Sequence, residues 1–182
     1  MTDTVGKISL RCGDVTDIPS ISNVGLQSWM SGFVGIFSTA LLNQLSAPDL
    51  WAERLMNWQS WFKEMSADEF ILVAEADGDV IGYVHGGRSE DDPLGEMVGL
   101  YVAPGKWGLG AGTALMTAGG SELASRGFTE AILWVFEKNT RAQLLYERLG
   151  WLPQPGVTRQ RDFFGEIAME VAYRCVLVGG LS

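Results

Sequence analysis

Apolar and polar positions alternate near the start of the chain, where Ile8, Leu10 and Cys12 interleave with Lys7, Ser9 and Arg11 in the period of a half-buried strand. Asp17 and Pro19 then introduce Ile18, Ile21 and Val24 at helical spacing, and the pattern loosens at Gly25 before resuming at Trp29 and Phe33. Residues 31–46 carry no readable period. From Ser46-Ala47-Pro48-Asp49 a second helix begins, and Trp51, Leu55, Trp58, Phe62 and Met65 fall on one face of it, which predicts a core stripe. Two apolar runs, 70–75 and 80–85, flank Asp77-Gly78, a dipeptide that accepts the positive φ of a tight hairpin. A strand over 96–102, a helix over about 110–126, a strand over 131–136, a short helix ending at Gly150 and an alternating closing strand over 167–175 complete the pattern. This order predicts a mixed α/β sheet covered by helices.

Composition narrows the chemistry. The 182 residues are 47% hydrophobic and 19% charged, enough for one full-sized core, and the net charge of -9 removes the electrostatic basis for gripping nucleic acid. The acidity is local: residues 1–97 hold five Lys/Arg against fifteen Asp/Glu, and residues 98–182 hold eight against seven. His85 is the single histidine, and Cys12 and Cys175 lack ligand spacing, which argues against a His-based triad or a metal site. No basic-then-apolar leader opens the chain and no run approaches eighteen apolar residues, so the expectation is a cytoplasmic protein without a membrane partner.

The stretch Val102-Ala103-Pro104-Gly105-Lys106-Trp107-Gly108-Leu109-Gly110-Ala111-Gly112-Thr113 joins a strand to a helix. Glycines there let an anion approach the unpaired N–H groups of a helix start. A P-loop would need a lysine between Gly112 and Thr113, and a dinucleotide fingerprint would need wider glycine spacing, so a nucleotide-binding domain fits poorly. Taken alone, the glycines could equally make a tight junction and nothing more.

With its strand ending in Val-x-Pro, this turn resembles the coenzyme A loop of the GCN5-related N-acetyltransferase superfamily, Gln/Arg-x-x-Gly-x-Gly/Ala. Gly110 and Gly112 take the glycine positions, Gly108 matches a frequent extra one, and Trp107 stands where Gln or Arg is usual. A second segment, Asn139 to Trp151, is similar to the family's N-x-x-A-x-x-x-Y-E-x-x-G-F/W, with Asn139, Ala142, Tyr146, Glu147 and Gly150 in place. The resemblance covers about 7–176 as one domain. It implies a mostly antiparallel sheet of six to seven strands with a splayed pair, about four covering helices, and acetyl-CoA as co-substrate without a metal.

The resemblance also implies roles. Acyl transfer to an amine needs a neutral amine, a stabilised oxyanion and a protonated thiolate. Leu100, Tyr101 and Val102 would line the acetyl end, with a main-chain N–H as oxyanion donor. Trp107, Gly108, Leu109, Gly110, Ala111, Gly112 and Thr113 would hold the pyrophosphate. Asn139 and Ala142 would meet the pantetheine arm, although Asn139 could simply cap a helix. Tyr146 would protonate the leaving thiolate, the alternative being a ring packed for its own sake. Glu96 is the candidate base, expected on one strand face with Val98, Leu100 and Val102, against a solvated strand end. Glu75, Asp91 and Asp92 are its alternatives, and a lone His85 reads first as structural.

Acceptor choice in this family comes mainly from the first two helices and the loop between them. Trp29, Phe33, Phe37, Trp51, Trp58 and Trp61, with Asp49, Glu53 and Glu64 among them, predict an aromatic wall beside carboxylates, suited to a small cationic or aromatic amine. The expected function is an N-acetyltransferase acting on a small-molecule primary amine. Its rivals are a protein N-terminal acetyltransferase and a non-catalytic acyl-CoA sensor, and a homodimer fits the family.

Overall fold

Alternating segments pair into a seven-stranded sheet, seen in a computed structural model that describes residues 7–89 and 93–177. The strands are β1 (Ser9–Cys12), β2 (Phe70–Ala76), β3 (Asp79–Arg88), β4 (Gly95–Val102), β5 (Glu130–Phe136), β6 (Leu152–Phe163) and β7 (Glu166–Val176). Their spatial order is β1-β2-β3-β4-β5-β7-β6, antiparallel except for β4 beside β5. The helices are α1 (Ile18–Gly32), α2 (Thr39–Leu45), α3 (Pro48–Glu64), α4 (Ala111–Ser125) and α5 (Thr140–Arg148). The expected mixed sheet is present, with α2 added where the sequence has no period. Ser38 caps α2 by accepting from Leu41 N–H, and Leu41, Leu42 and Leu45 turn inward.

Both faces of the central strands are covered, which is why β2 is almost continuously apolar. Phe70, Leu72 and Ala74 meet α4 residues Leu115 and Leu123 on one face. Ile71 and Val73 meet Ile21 and Val24 of α1 on the other. Asp77 and Gly78 take φ of 55° and 87°, so β2 and β3 join through the hairpin their sequence predicts. The α3 stripe, by contrast, is not a core stripe. No residue of α3 is fully buried, and Trp58, Trp61 and Phe62 are half-buried against Ile21, Val73 and Tyr83 while Met65 stays exposed. The helix packs on α1 from outside, so its apolar face is covered only in part.

Two irregularities of β4 prepare the site. Pairing to β5 runs only from Gly95↔Ala131 to Met97↔Leu133, after which the parallel strands part. Opposite β3, His85 pairs with Gly99 and Gly86 with Met97, leaving Val98 as the extra residue of a bulge. The bulge inverts the side-chain alternation. Met97, Leu100 and Val102 face α4, whereas Val98 is 55% exposed. Glu96 therefore does not share a face with Leu100 and Val102, correcting the simple period-two expectation. A Cβ at Gly99 would stand 2.6 Å from His85 Cε1 and 2.8 Å from Tyr101 Cε2, so the bulge requires glycine there.

Candidate active site

Where β4 leaves β5, a cleft of about 770 Å³ opens between the sheet, α1, α4 and α5. Leu100, Tyr101, Val102, Trp107, Gly108, Gly110, Ala111, Gly112, Thr113, Asn139, Ala142 and Tyr146 all line it. Leu109 and Glu96, expected at the site, are not among the lining residues.

The splay costs β4 its ladder partners, and side chains restore one of them. The Val102 carbonyl accepts from Trp107 Nε1 at 2.7 Å and from Ser28 Oγ at 2.8 Å, tying the glycine turn and α1 to the strand end. Trp107 thus has a structural task in place of the polar contact usual at its position. The guanidinium of Arg141 lies 3.4 Å over the Trp107 ring and lines the same cleft, which returns a cation to the turn from α5. Gly110 begins α4 at φ 93°, with no side-chain cap and open space where a Cβ would stand. The first N–H groups of α4 are thereby left to the cleft, on the positive end of a 15-residue helix.

Asn139 accepts from Ala142 N–H at 3.2 Å, so its side-chain oxygen caps α5. Tyr146, two turns on, is buried, and burial together with Tyr101 raises its phenol above the ordinary range. Its hydroxyl is consequently a proton carrier at any working pH. Donating a hydrogen bond to a thiolate suits it better than full transfer, since each pKa unit of mismatch costs about 1.4 kcal/mol.

The candidate bases separate. Glu75 is taken by Arg11, which donates to it at 2.7 and 2.9 Å and also holds Asp17. Asp91 and Asp92 lie outside the described residues. His85 lines the cleft beside the bulge, with its Nδ1 enclosed and unpartnered, and burial lowers its pKa to about 4. The imidazole is neutral near pH 7 and a weak base.

Beyond Tyr101 the wall becomes aromatic. Trp29 stacks on Phe37 at 5.5 Å and meets Phe33 edge-on at 4.7 Å, while Phe163 of β6 closes on Trp29 at 5.6 Å. Trp29 and Phe33 line the cleft as expected, but Phe37 is buried beneath them. Asp49, Glu53 and Glu64 are exposed on α3 away from the cleft, which removes the expected carboxylate wall. The charged lining is instead Lys106, Arg141, Arg148 and Arg161, with Glu170 the one carboxylate among the described residues. An acidic protein thus carries a basic cleft. The sequence reading missed Trp134, Phe136, Arg161, Phe163 and Glu170, whose signal was only the alternation of β5, β6 and β7.

The bulged strand leaves its parallel neighbour beside a glycine turn that has no side-chain cap, and residues 35–151 match the acetyltransferase (GNAT) family, to which this chain belongs. Mycothiol acetyltransferase from Kocuria rhizophila is 40% identical over 99 residues, covering 51% of this chain but only 32% of that protein. PaiA N-acetyltransferase from Thermoplasma acidophilum, solved in complex with coenzyme A, superposes with a TM-score of 0.68 over 91% of this chain and 98% of its own, at 20% identity. Ribosomal-protein-alanine N-acetyltransferase from Brucella melitensis gives 0.72 over 93% and 99%, also at 20% identity. No helix among the described residues is long and apolar enough to cross a membrane.

Proposed function

We propose that the protein transfers the acetyl group of acetyl-CoA to a primary amine of a small molecule by direct attack on the thioester. The observation that carries this reading is the gap between β4 and β5, which opens beside both the free N–H groups of α4 and the buried hydroxyl of Tyr146. The cleft residues fit coenzyme A in kind: unpaired backbone donors and Arg141 for phosphates, then apolar Leu100, Leu145 and Met116 for the pantetheine arm.

Gly108 to Thr113 hold the pyrophosphate through backbone N–H groups and the helix dipole, which needs no particular side chain. Val98 and Gly99 of the bulge line the cleft, and a main-chain N–H of this segment, freed from the ladder, is the donor that would stabilise charge on the thioester oxygen. Asn139 fixes the start of α5, and through it the position of Tyr146, whose hydroxyl donates to the departing sulfur. Glu170 is the one carboxylate lining the cleft among the described residues, but Arg159 holds it as Arg11 holds Glu75, so a proton relay through it competes with that ion pair, and His85 is too weak a base. Attack needs the neutral amine, so the rate should rise with pH until the bound amine is deprotonated.

The test is free-thiol release from acetyl-CoA across a panel of small amines, set beside the thermal shift produced by acetyl-CoA, ATP and NAD. Turnover with at least one amine and a midpoint rise with acetyl-CoA alone are expected. A shift with no turnover on any amine or on an N-terminal peptide would identify a sensor of the same fold.

A further inference from the structure

The acceptor end of the cleft is lined by β5, β7 and β6 on the side facing α1. Along this face Phe136 pairs with Glu170, Glu170 with Arg159, and Ala168 with Arg161, one step further along the β6–β7 ladder. Two arginines at adjacent same-face positions of β6 meet different fates. Arg159 donates to Glu170 at 2.6 Å and lies 4.3 Å over the Trp134 ring, so its charge is matched within the protein. Arg161 lines the cleft, rests 5.3 Å from the centre of the Phe163 ring, and enters no ion pair found among the described residues.

We infer that the acceptor carries a carboxylate set apart from its amine, and that Arg161 receives it while Trp29, Phe33 and Phe163 enclose an apolar body between the two groups. This rests on the acetyltransferase reading and adds the substrate class. Two observations converge on it. Glu170, the one lining carboxylate among the described residues, is already held by Arg159. Arg161 lines the same cleft as Tyr101, Trp29 and Phe163, with its guanidinium 5.3 Å from the centre of the Phe163 ring. A guanidinium presents paired N–H donors in the plane a carboxylate matches, and such charge-assisted bonds are the strong ones.

The experiment compares isosteres. With coenzyme A bound, 3-phenylpropionate and 3-phenylpropanamide are titrated while tryptophan fluorescence is read, since Trp29 and Trp134 line the site. The carboxylate should bind at least about tenfold more tightly than the amide, Arg161→Gln should abolish that preference, and Arg161→Lys should restore part of it. In turnover, 3-(4-aminomethylphenyl)propanoate, whose ring separates amine from carboxylate, should outpace its propanamide counterpart in the wild type and lose its lead in Arg161→Gln. A wild-type protein that does not discriminate, whether both probes bind alike or neither binds, overturns the inference, as does a preference that survives Arg161→Gln. The fluorescence arm does not depend on transfer. Failure of every amine to release thiol would sink the enzymatic reading and leave the carboxylate preference standing, whereas brisk transfer to neutral amines with no preference would do the reverse.

Discussion

The donor end of the cleft comes from one continuous turn and a helix begun by its glycines, whereas the acceptor end takes single side chains from α1, β4, β5, β6 and β7, spread from Trp29 to Glu170. In the proposed reading the working groups at the donor end are backbone N–H donors, and the sequence must supply only residues that do not obstruct them. At the acceptor end the working groups are side chains, and their effect depends on which neighbour neutralises which charge. A backbone site tolerates Trp107 in place of a polar residue. A side-chain site would change its preference if one ion pair moved by a single ladder step, for Glu170 holds Arg159 while Arg161, one same-face step on, is in no ion pair among the described residues.

Gly110→Val tests the donor end most severely. It places a β-branched residue at φ 93° and fills open space over the first turn of α4. Loss of about two charge-assisted hydrogen bonds should weaken acetyl-CoA on the order of 10³-fold. Calorimetric titration against a matched melting curve checks this, and unchanged affinity in a folded variant would remove the turn from phosphate binding.

Tyr146 sits where the two ends meet, and the next effect in size belongs to it. Tyr146→Phe should lower kcat about 10²-fold with acetyl-CoA affinity nearly intact, at the low end for general-acid help because a raised phenol transfers its proton reluctantly. The sign of the shift gives a pH prediction as well. A phenol whose pKa is raised by burial stays protonated through pH 10, so the wild-type rate should show no alkaline loss assignable to it. Normal turnover in Tyr146→Phe, with Tyr146→Ala destabilised by roughly 3 kcal/mol or more, would reduce the residue to packing.

How far each end could be read in advance follows from the same contrast. The turn and the Asn139 segment were legible because glycines, caps and a helix start are local, and the β2–β3 hairpin was legible through Asp77-Gly78. A bulge in this strand is implied by the family resemblance, but its place at Val98 was not legible, since its signal is a glycine whose need appears only when His85 and Tyr101 lie against it. Nor was the outward placement of α3, whose apolar spacing is helical whether or not a core awaits it. The carboxylates counted near the tryptophans in sequence proved remote from the cleft, because helical sidedness separates residues that the chain keeps together.

A smaller effect should come from Arg141, the cation that α5 lends to the donor end. Arg141→Gln leaves the backbone donors in place and removes one screened charge from above Trp107. Acetyl-CoA affinity should fall about tenfold, with a shallower salt dependence than the wild type. Equal affinity and equal salt slope would return Arg141 to a purely structural partner of the indole.

Glu96→Gln should have the smallest effect, and the reason lies in strand geometry. On an unbroken β4, Glu96 would share a face with Leu100 and Val102, and a carboxylate there would be well placed to take the amine proton. The bulge at Val98 adds a residue between them and turns the Glu96 side chain to the opposite face from Met97 and Leu100. Gln preserves the shape and most hydrogen bonds of the half-buried side chain, so turnover should stay within about twofold of wild type. The informative control is Glu170→Gln, which removes a carboxylate that does line the cleft and leaves Arg159 without its partner. If proton relay runs through Glu170, its variant should lose rate mainly at low pH, where few amines are neutral and help with deprotonation matters most. A tenfold loss in Glu96→Gln at unchanged melting midpoint, with Glu170→Gln near normal, would mean that β4 straightens when acetyl-CoA binds and that the alternation read from sequence describes the working enzyme.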